Sequence, residues 1–199
     1  MNTSKILPLA VCLVSLTVIL LGWLGNTPWI LSIIPGAVTM KFATALTLFL
    51  QSVGALAISE ENPKLEFVSA TCHVAAIIIL MFVIWSPVIT TDPGDAFTVR
   101  VGMPSFGTLF AALGITAAHF MVTVFPSGRV LHQWKMHQVT AVGVSLLTVV
   151  AFIGYLTNSP ILFYYFPELS TGMAIHTAAC YLALALANFN LKGSPSHDV

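Results

Sequence analysis

Gly22-Trp23, then an apolar connector closing on Ile34-Pro35-Gly36, then Met40-Lys41-Phe42-Ala43-Thr44-Ala45-Leu46: this stretch decides how the chain folds. It ends one apolar run at an aromatic residue, inserts a proline that cannot continue a helix, and opens a second apolar run. That is the outline of a helical hairpin. The pattern returns as Gly154-Tyr155, Phe166-Pro167 and Ser170-Thr171-Gly172-Met173-Ala174-Ile175-His176-Thr177-Ala178-Ala179. A looser middle copy runs through Trp85, Pro93-Gly94 and Met103-Pro104-Ser105-Phe106-Gly107-Thr108-Leu109. From aromatic to methionine the spacing is 17, 18 and 18 residues, a regularity that marks an internal repeat. Three such units predict approximate three-fold pseudosymmetry, with their loops meeting over one surface.

Composition says what surrounds these hairpins. Of 199 residues, 57% are hydrophobic and 7% charged, and seven basic side chains cancel seven acidic ones. A water-soluble domain carries roughly 25% charged residues, so the chain is read as an integral membrane protein with the lipid bilayer as its solvent. Without a basic face to neutralise phosphates, nucleic-acid binding is excluded. Cys12, Cys72 and Cys180 all fall in apolar stretches and are odd in number, which implies no disulfide framework.

Six apolar stretches approach the length of about 20 helical residues that a hydrocarbon core requires. They are Ile6 to Trp23, Phe42 to Ser59, Leu65 to Trp85, Phe106 to Phe125, Val139 to Leu156 and Met173 to Leu191. The first lacks a small-x-small cleavage pattern and is kept as a span rather than a signal peptide. The expected fold is therefore an all-α integral membrane domain over residues 1–199, with six transmembrane helices in three pseudo-repeated hairpins (6–59, 65–125 and 139–191) and a polar tail at 192–199. Lys5, Lys64, Arg129, Lys135 and Lys192 lie on one side, against Lys41 and Arg100 on the other. The positive-inside rule then puts both termini in the cytoplasm and the longer loops outside, in a multi-pass protein of the cell's inner membrane.

At the outer loops two readings stay open. Trp23, Trp85 and Tyr155 serve as interfacial anchors, or the loops dip inward and roof a shallow apolar pocket lined by Met40, Met103 and Met173. On the second reading Met40, Thr44, Met173, His176 and Thr177 form the sensing end.

The stretches Pro35 to Leu46 and Ser170 to Ala178 resemble the N-terminal multi-spanning membrane region of many bacterial sensor proteins. There such hairpins precede cytoplasmic PAS, histidine kinase or diguanylate cyclase domains. The first and third units carry the resemblance closely and the middle one loosely. The segment after the sixth span departs from that pattern, since Lys192 to Val199 holds no coiled coil, phosphoacceptor domain or nucleotide site. Read as a complete chain, the resemblance implies a freestanding sensory module that acts through a partner protein; read as an excised membrane region, it implies that an output domain has been removed.

Ionisable residues inside spans call for a functional hypothesis. His176 and Cys180 lie four apart and share a helix face with Ala183 and Ala187, next to Ala179. An imidazole and a thiolate suit a soft ion such as Cu(I), although two ligands make an incomplete metal site and a packed histidine is the plainer alternative. Glu66, Ser69 and His73 make a polar stripe on the third span, and Thr116, His119 and Thr123 make another on the fourth. Antiparallel neighbours bring His73 and His119 to comparable depth, as two axial ligands of a b-type haem would be. The competing reading is interhelical polar packing, and no cofactor is expected. His132 and His137 read as interfacial residues, and Gln51 as an interhelical hydrogen-bonding group. Gly114 and Ala118 predict a close helix contact. No nucleophile elbow, phosphate loop or paired intramembrane carboxylates occur.

The sequence thus predicts a non-enzymatic membrane module that detects an apolar or membrane-borne cue and signals through a protein partner. A second class, an accessory subunit of a respiratory or photosynthetic complex, fits the histidines at two depths.

Overall fold

A computed structural model describes residues 3–60, 62–90, 104–124, 130–164 and 172–189. Every regular element among them is helical. Helix α1 (Thr3–Thr17) passes directly into a π-helical stretch, Val18–Leu24, and the short α2 (Pro28–Leu31) follows. Then come α3 (Phe42–Ile58), α4 (Pro63–Thr90), α5 (Phe106–Val124), α6 (Val130–Leu156), the short α7 (Ile161–Tyr164) and α8 (Ile175–Phe189). The predicted stretches coincide with α1 and its continuation, α3, α4, α5, α6 and α8. Helix α6 begins at Val130 rather than Val139, because the polar residues before Val139 include no proline or glycine to stop it.

Three stretches, Thr3–Leu24, Lys64–Trp85 and Gln138–Leu156, are long and apolar enough to cross a membrane. Phe42–Ile58, Phe106–Phe120 and Ile175–Phe189 are apolar but shorter. The long helix comes first in each hairpin and the short one second, and this asymmetry matches their places in the bundle. Helices α3, α5 and α8 touch one another at the centre. Each long helix lies outside, in the groove between two central ones: α1 against α3 and α8, α4 against α3 and α5, α6 against α5 and α8. The same order of contacts, one long helix seated between two central ones, thus recurs three times among the described helices.

Lipid is as apolar as leucine, so close fit rather than a hydrophobic drive holds such helices together. The central interfaces are accordingly built from small residues, with Ala45, Ala55, Ala112, Ala118, Ala141, Ala151, Ala178 and Ala185 buried. At Gly114 a Cβ would stand 3.2 Å from the Thr140 methyl, which places the predicted close contact between α5 and α6. Leu13, Leu20, Ile78, Phe82, Val139 and Leu146 face outward and exposed.

The end of the bundle opposite the long loops is tied between α1 and α3. Pro8 lies inside α1 and has no N–H to give the Ser4 carbonyl. The Ser59 hydroxyl at the end of α3, whose shorter bond is to its own Ala55 carbonyl at 2.8 Å, approaches that carbonyl at 3.3 Å. Beside it Lys5 Nζ sits 2.8 Å from Glu60 Oε1, an exposed pair that contributes about 0 to 1 kcal/mol.

Candidate functional site

The first and third loops fold by the same steps. After Gly22 the chain turns through Asn26 in the left-handed region (φ 48°), and after Gly154 through Asn158 (φ 51°). The Thr27 amide donates to the Gly22 carbonyl at 3.0 Å, and the Ser159 amide to the Gly154 carbonyl at 2.8 Å. These are the long-range bonds of a Schellman helix end, with asparagine taking the left-handed position. Pro28 then starts α2 and Pro160 immediately precedes α7, positions where no helical N–H bond is lost. Both helices fold back onto the glycines. A Cβ at Gly22 would stand 2.6 Å from Leu31 Cδ2, and one at Gly154 would stand 2.8 Å from Leu162 Cβ.

From there the chain returns to the centre and is fastened at methionine. The Met40 amide donates to the Leu31 carbonyl at 2.8 Å, and the Met173 amide to the Phe163 carbonyl at 2.7 Å. Trp23 Nε1 donates to the Met40 carbonyl at 3.2 Å. Tyr155 donates its hydroxyl to the Met173 carbonyl at 2.7 Å. The regular aromatic-to-methionine spacing is thus a pair of hydrogen bonds from the end of an outer helix to the chain entering an inner one. Met40 and Met173 are 1% and 0% exposed. Thr44 and Thr177, one turn further in, are buried as well.

Aromatic rings brace each lock. Phe42 meets Trp23 edge-on at 6.1 Å, and Phe163 stacks on Tyr155 at 4.3 Å. Between them in the first loop, Ile34-Pro35-Gly36-Ala37 forms a turn with Gly36 at φ 77°, a position only glycine fills readily. Lys41, at the N-cap of α3, is half-buried, and desolvation holds its ammonium below its ordinary pKa. Trp85 is exposed at the end of the third apolar stretch. Met103 lies outside the described residues, as do the side chains of Thr123, His132 and His137.

A second constellation crosses the inner helices toward the opposite end. Gln51 on α3 donates through Nε2 to the Ala112 carbonyl and to Thr116 Oγ1 on α5, both at 2.7 Å. One turn on, the ring of His73 occupies the space over Gly54, where a Cβ would collide with His73 Cε1. His73 Nδ1 donates to the Ser69 carbonyl at 2.7 Å. Its Nε2 meets His119 Nδ1 at 2.8 Å, with the two rings perpendicular. His119 Nε2 in turn meets Asn188 Oδ1 on α8. Ser69, His73, His119 and Asn188 are all buried, whereas Glu66 is exposed and leaves the predicted stripe at its end.

The two histidines that the sequence placed at one depth are therefore joined directly to one another. Axial imidazoles on a single metal hold their nitrogens about 4 Å apart, twice a metal–nitrogen bond of roughly 2 Å. At 2.8 Å the contact is a hydrogen bond. A haem between these rings would require α4 and α5 to part. Elsewhere on α8, His176 and Cys180 are each 5% exposed, and neither ring nitrogen of His176 has a hydrogen-bond partner among the described residues. No group of three His, Cys, Asp or Glu side chains gathers as a metal site among the described residues.

No family model matches the chain, and neither the curated proteins nor the solved structures contain a significant match. The internal comparison is correspondingly the informative one. Gly22-Trp23-Leu24-Gly25-Asn26-Thr27-Pro28 and Gly154-Tyr155-Leu156-Thr157-Asn158-Ser159-Pro160 agree at glycine, aromatic, leucine, asparagine, hydroxyl residue and proline. That heptad identifies the loop lock more sharply than the glycine-aromatic pair alone. Asn188 and Gly54, the partners that complete the polar chain, carry no spacing signal in the sequence.

Proposed function

We propose that this chain is a non-catalytic, six-span membrane module of the sensory type, with both termini in the cytoplasm of a bacterial cell. It detects an apolar or membrane-borne cue at its loop end and conveys it to a partner protein. The observation that carries this reading is the pair of bonds from Trp23 to Met40 and from Tyr155 to Met173. Each joins an outer helix to the entry of an inner helix at the level of the loop. A molecule that lifts either aromatic ring from its methionine carbonyl acts on α3 or α8 at the same time. Such a cue selects between two helix packings and does so only by binding one better than the other.

The test is recovery of the native assembly. The full chain is extracted in mild detergent from its own membranes, and whatever remains bound in stoichiometric amount is identified by mass spectrometry. Recovery with a kinase, a cyclase or another signalling output protein supports the proposal. Recovery inside an electron-transfer complex overturns it in favour of an accessory-subunit role.

A further inference from the structure

We propose that the chain Ser69–His73–His119–Asn188 is a binding site for a single proton, shared by the two imidazoles and registered by the orientation of the Asn188 amide. Hydrogen-bond accounting carries this inference. The Ser69 carbonyl can only accept, so His73 Nδ1 bears a hydrogen. One hydrogen lies between His73 Nε2 and His119 Nδ1. Asn188 Oδ1 also can only accept, and it faces His119 Nε2, so that nitrogen bears a hydrogen too. Three hydrogens on two rings is one more than two neutral imidazoles hold. In this arrangement the pair is an imidazole–imidazolium.

The neutral arrangement differs by half a turn of one amide. With Nδ2 of Asn188 facing His119, Asn188 donates to His119 Nε2, His119 Nδ1 donates to His73 Nε2, and His73 Nδ1 donates to Ser69. Every link is again a donor facing an acceptor. In either arrangement one end of the Asn188 amide is left without a partner among the described residues, Nδ2 when Oδ1 faces His119 and Oδ1 when the amide is turned, so the turn follows the proton count alone. Uptake is balanced: an aqueous acid gives H⁺ to His119 Nε2, its conjugate base stays in water, and the site gains one positive charge. Asn188 lies in the last turn of α8 and Gly54 about one turn before the end of α3, so the site is near the end of the inner bundle.

The surroundings add no competing charge among the described residues. Helix α3 presents Gln51 and Gly54, α4 Ser69, and α5 Thr116. On α8, Cys180 and Tyr181 lie about two turns from Asn188. Glu66, seven residues before His73 on α4, is exposed, and no Asp, Glu, Lys or Arg occurs among the buried residues described. The proposal does not depend on the sensory reading, since a proton site of this kind stands whatever occupies the loops.

The experiment is ring ¹⁵N NMR of histidine-labelled full chain in lipid nanodiscs from about pH 8 to pH 4, the range in which imidazoles titrate. The His73 and His119 signals are assigned by single substitution to Gln. At high pH both rings are expected to carry hydrogen on Nδ1. On acidification both signals are expected to move together at one midpoint, with one proton taken up per pair. Asn188→Asp, whose ionised carboxylate accepts at both oxygens and pairs with the imidazolium, is expected to raise proton affinity at least tenfold. Separate midpoints for the two rings, or unchanged tautomers throughout the range in which the protein stays helical, would overturn the proposal. The wild-type titration decides even where the Asp variant fails to fold.

Discussion

The loop end and the interior treat the repeat in opposite ways. At the loop end, the first and third hairpins solve one problem twice: glycine, aromatic donor, left-handed asparagine, proline, short helix and a fastened methionine. In the interior each inner helix brings something different, Gln51 from α3, His119 from α5 and Asn188 from α8. Backbone geometry repeats in these two because both outer helices end in the same left-handed asparagine turn, whereas in the second hairpin α4 runs on past Trp85 to Thr90. Side-chain chemistry diverges because a polar chain needs distinct donors and acceptors, which three identical copies cannot supply.

Four sets of substitutions break or sharpen that contrast. The largest effect is expected at Gly54→Leu, since even a Cβ there would collide with the His73 ring. Displacing that ring costs at least the ~1 to 3 kcal/mol of overpacking, and thermal unfolding in detergent should fall accordingly. Next is His119→Leu, which strips partners from both His73 and Asn188 and is expected to cost about 1 to 3 kcal/mol. Adding His73→Phe to it should cost less than the sum of the two single changes, because the pair then leaves together. Strict additivity would show that the rings are not coupled.

The two loop locks can be set against each other. Gly154→Ala drives its Cβ into Leu162 Cβ, close to the backbone, whereas Gly22→Ala meets only the flexible tip of Leu31. The first should lower the melting temperature clearly more than the second. Equal losses would mean that α2 is held as rigidly as α7. Smallest are Tyr155→Phe and Trp23→Phe, each removing one hydrogen bond of about 0.5 to 1.5 kcal/mol. The shorter Tyr155 bond should account for the larger loss.

Much of the hairpin plan is legible from the sequence, because it rests on periodic apolar length and on residues that break helices. Phe42 opens α3 and Phe106 opens α5 as predicted, and Leu156 closes α6. The spacing from Trp23 to Met40 and from Tyr155 to Met173 also marks a real contact, although nothing in it says that the bond is to a carbonyl. The Asn26 and Asn158 turns are equally visible in the sequence, being paired with Pro28 and Pro160 in matching heptads. The polar chain is of another kind. It joins residues from α4, α5 and α8 over a glycine of α3, so its partners are fixed by how helices cross and not by any local pattern. Gln51 is readable as a hydrogen-bonding group, but Thr116 as its partner is not.

The placement of α1 has a consequence for how the protein is made. Its seat is the groove between α3 and α8, and one wall of that groove leaves the ribosome only after the five other long elements. In the proposed six-span reading the first helix therefore waits in the bilayer, half-housed against α3, until α8 arrives. Insertion of α8 is then the step that commits the whole assembly, and a chain halted before Ile175 would keep the α8-facing side of α1 open to lipid or to a quality-control factor.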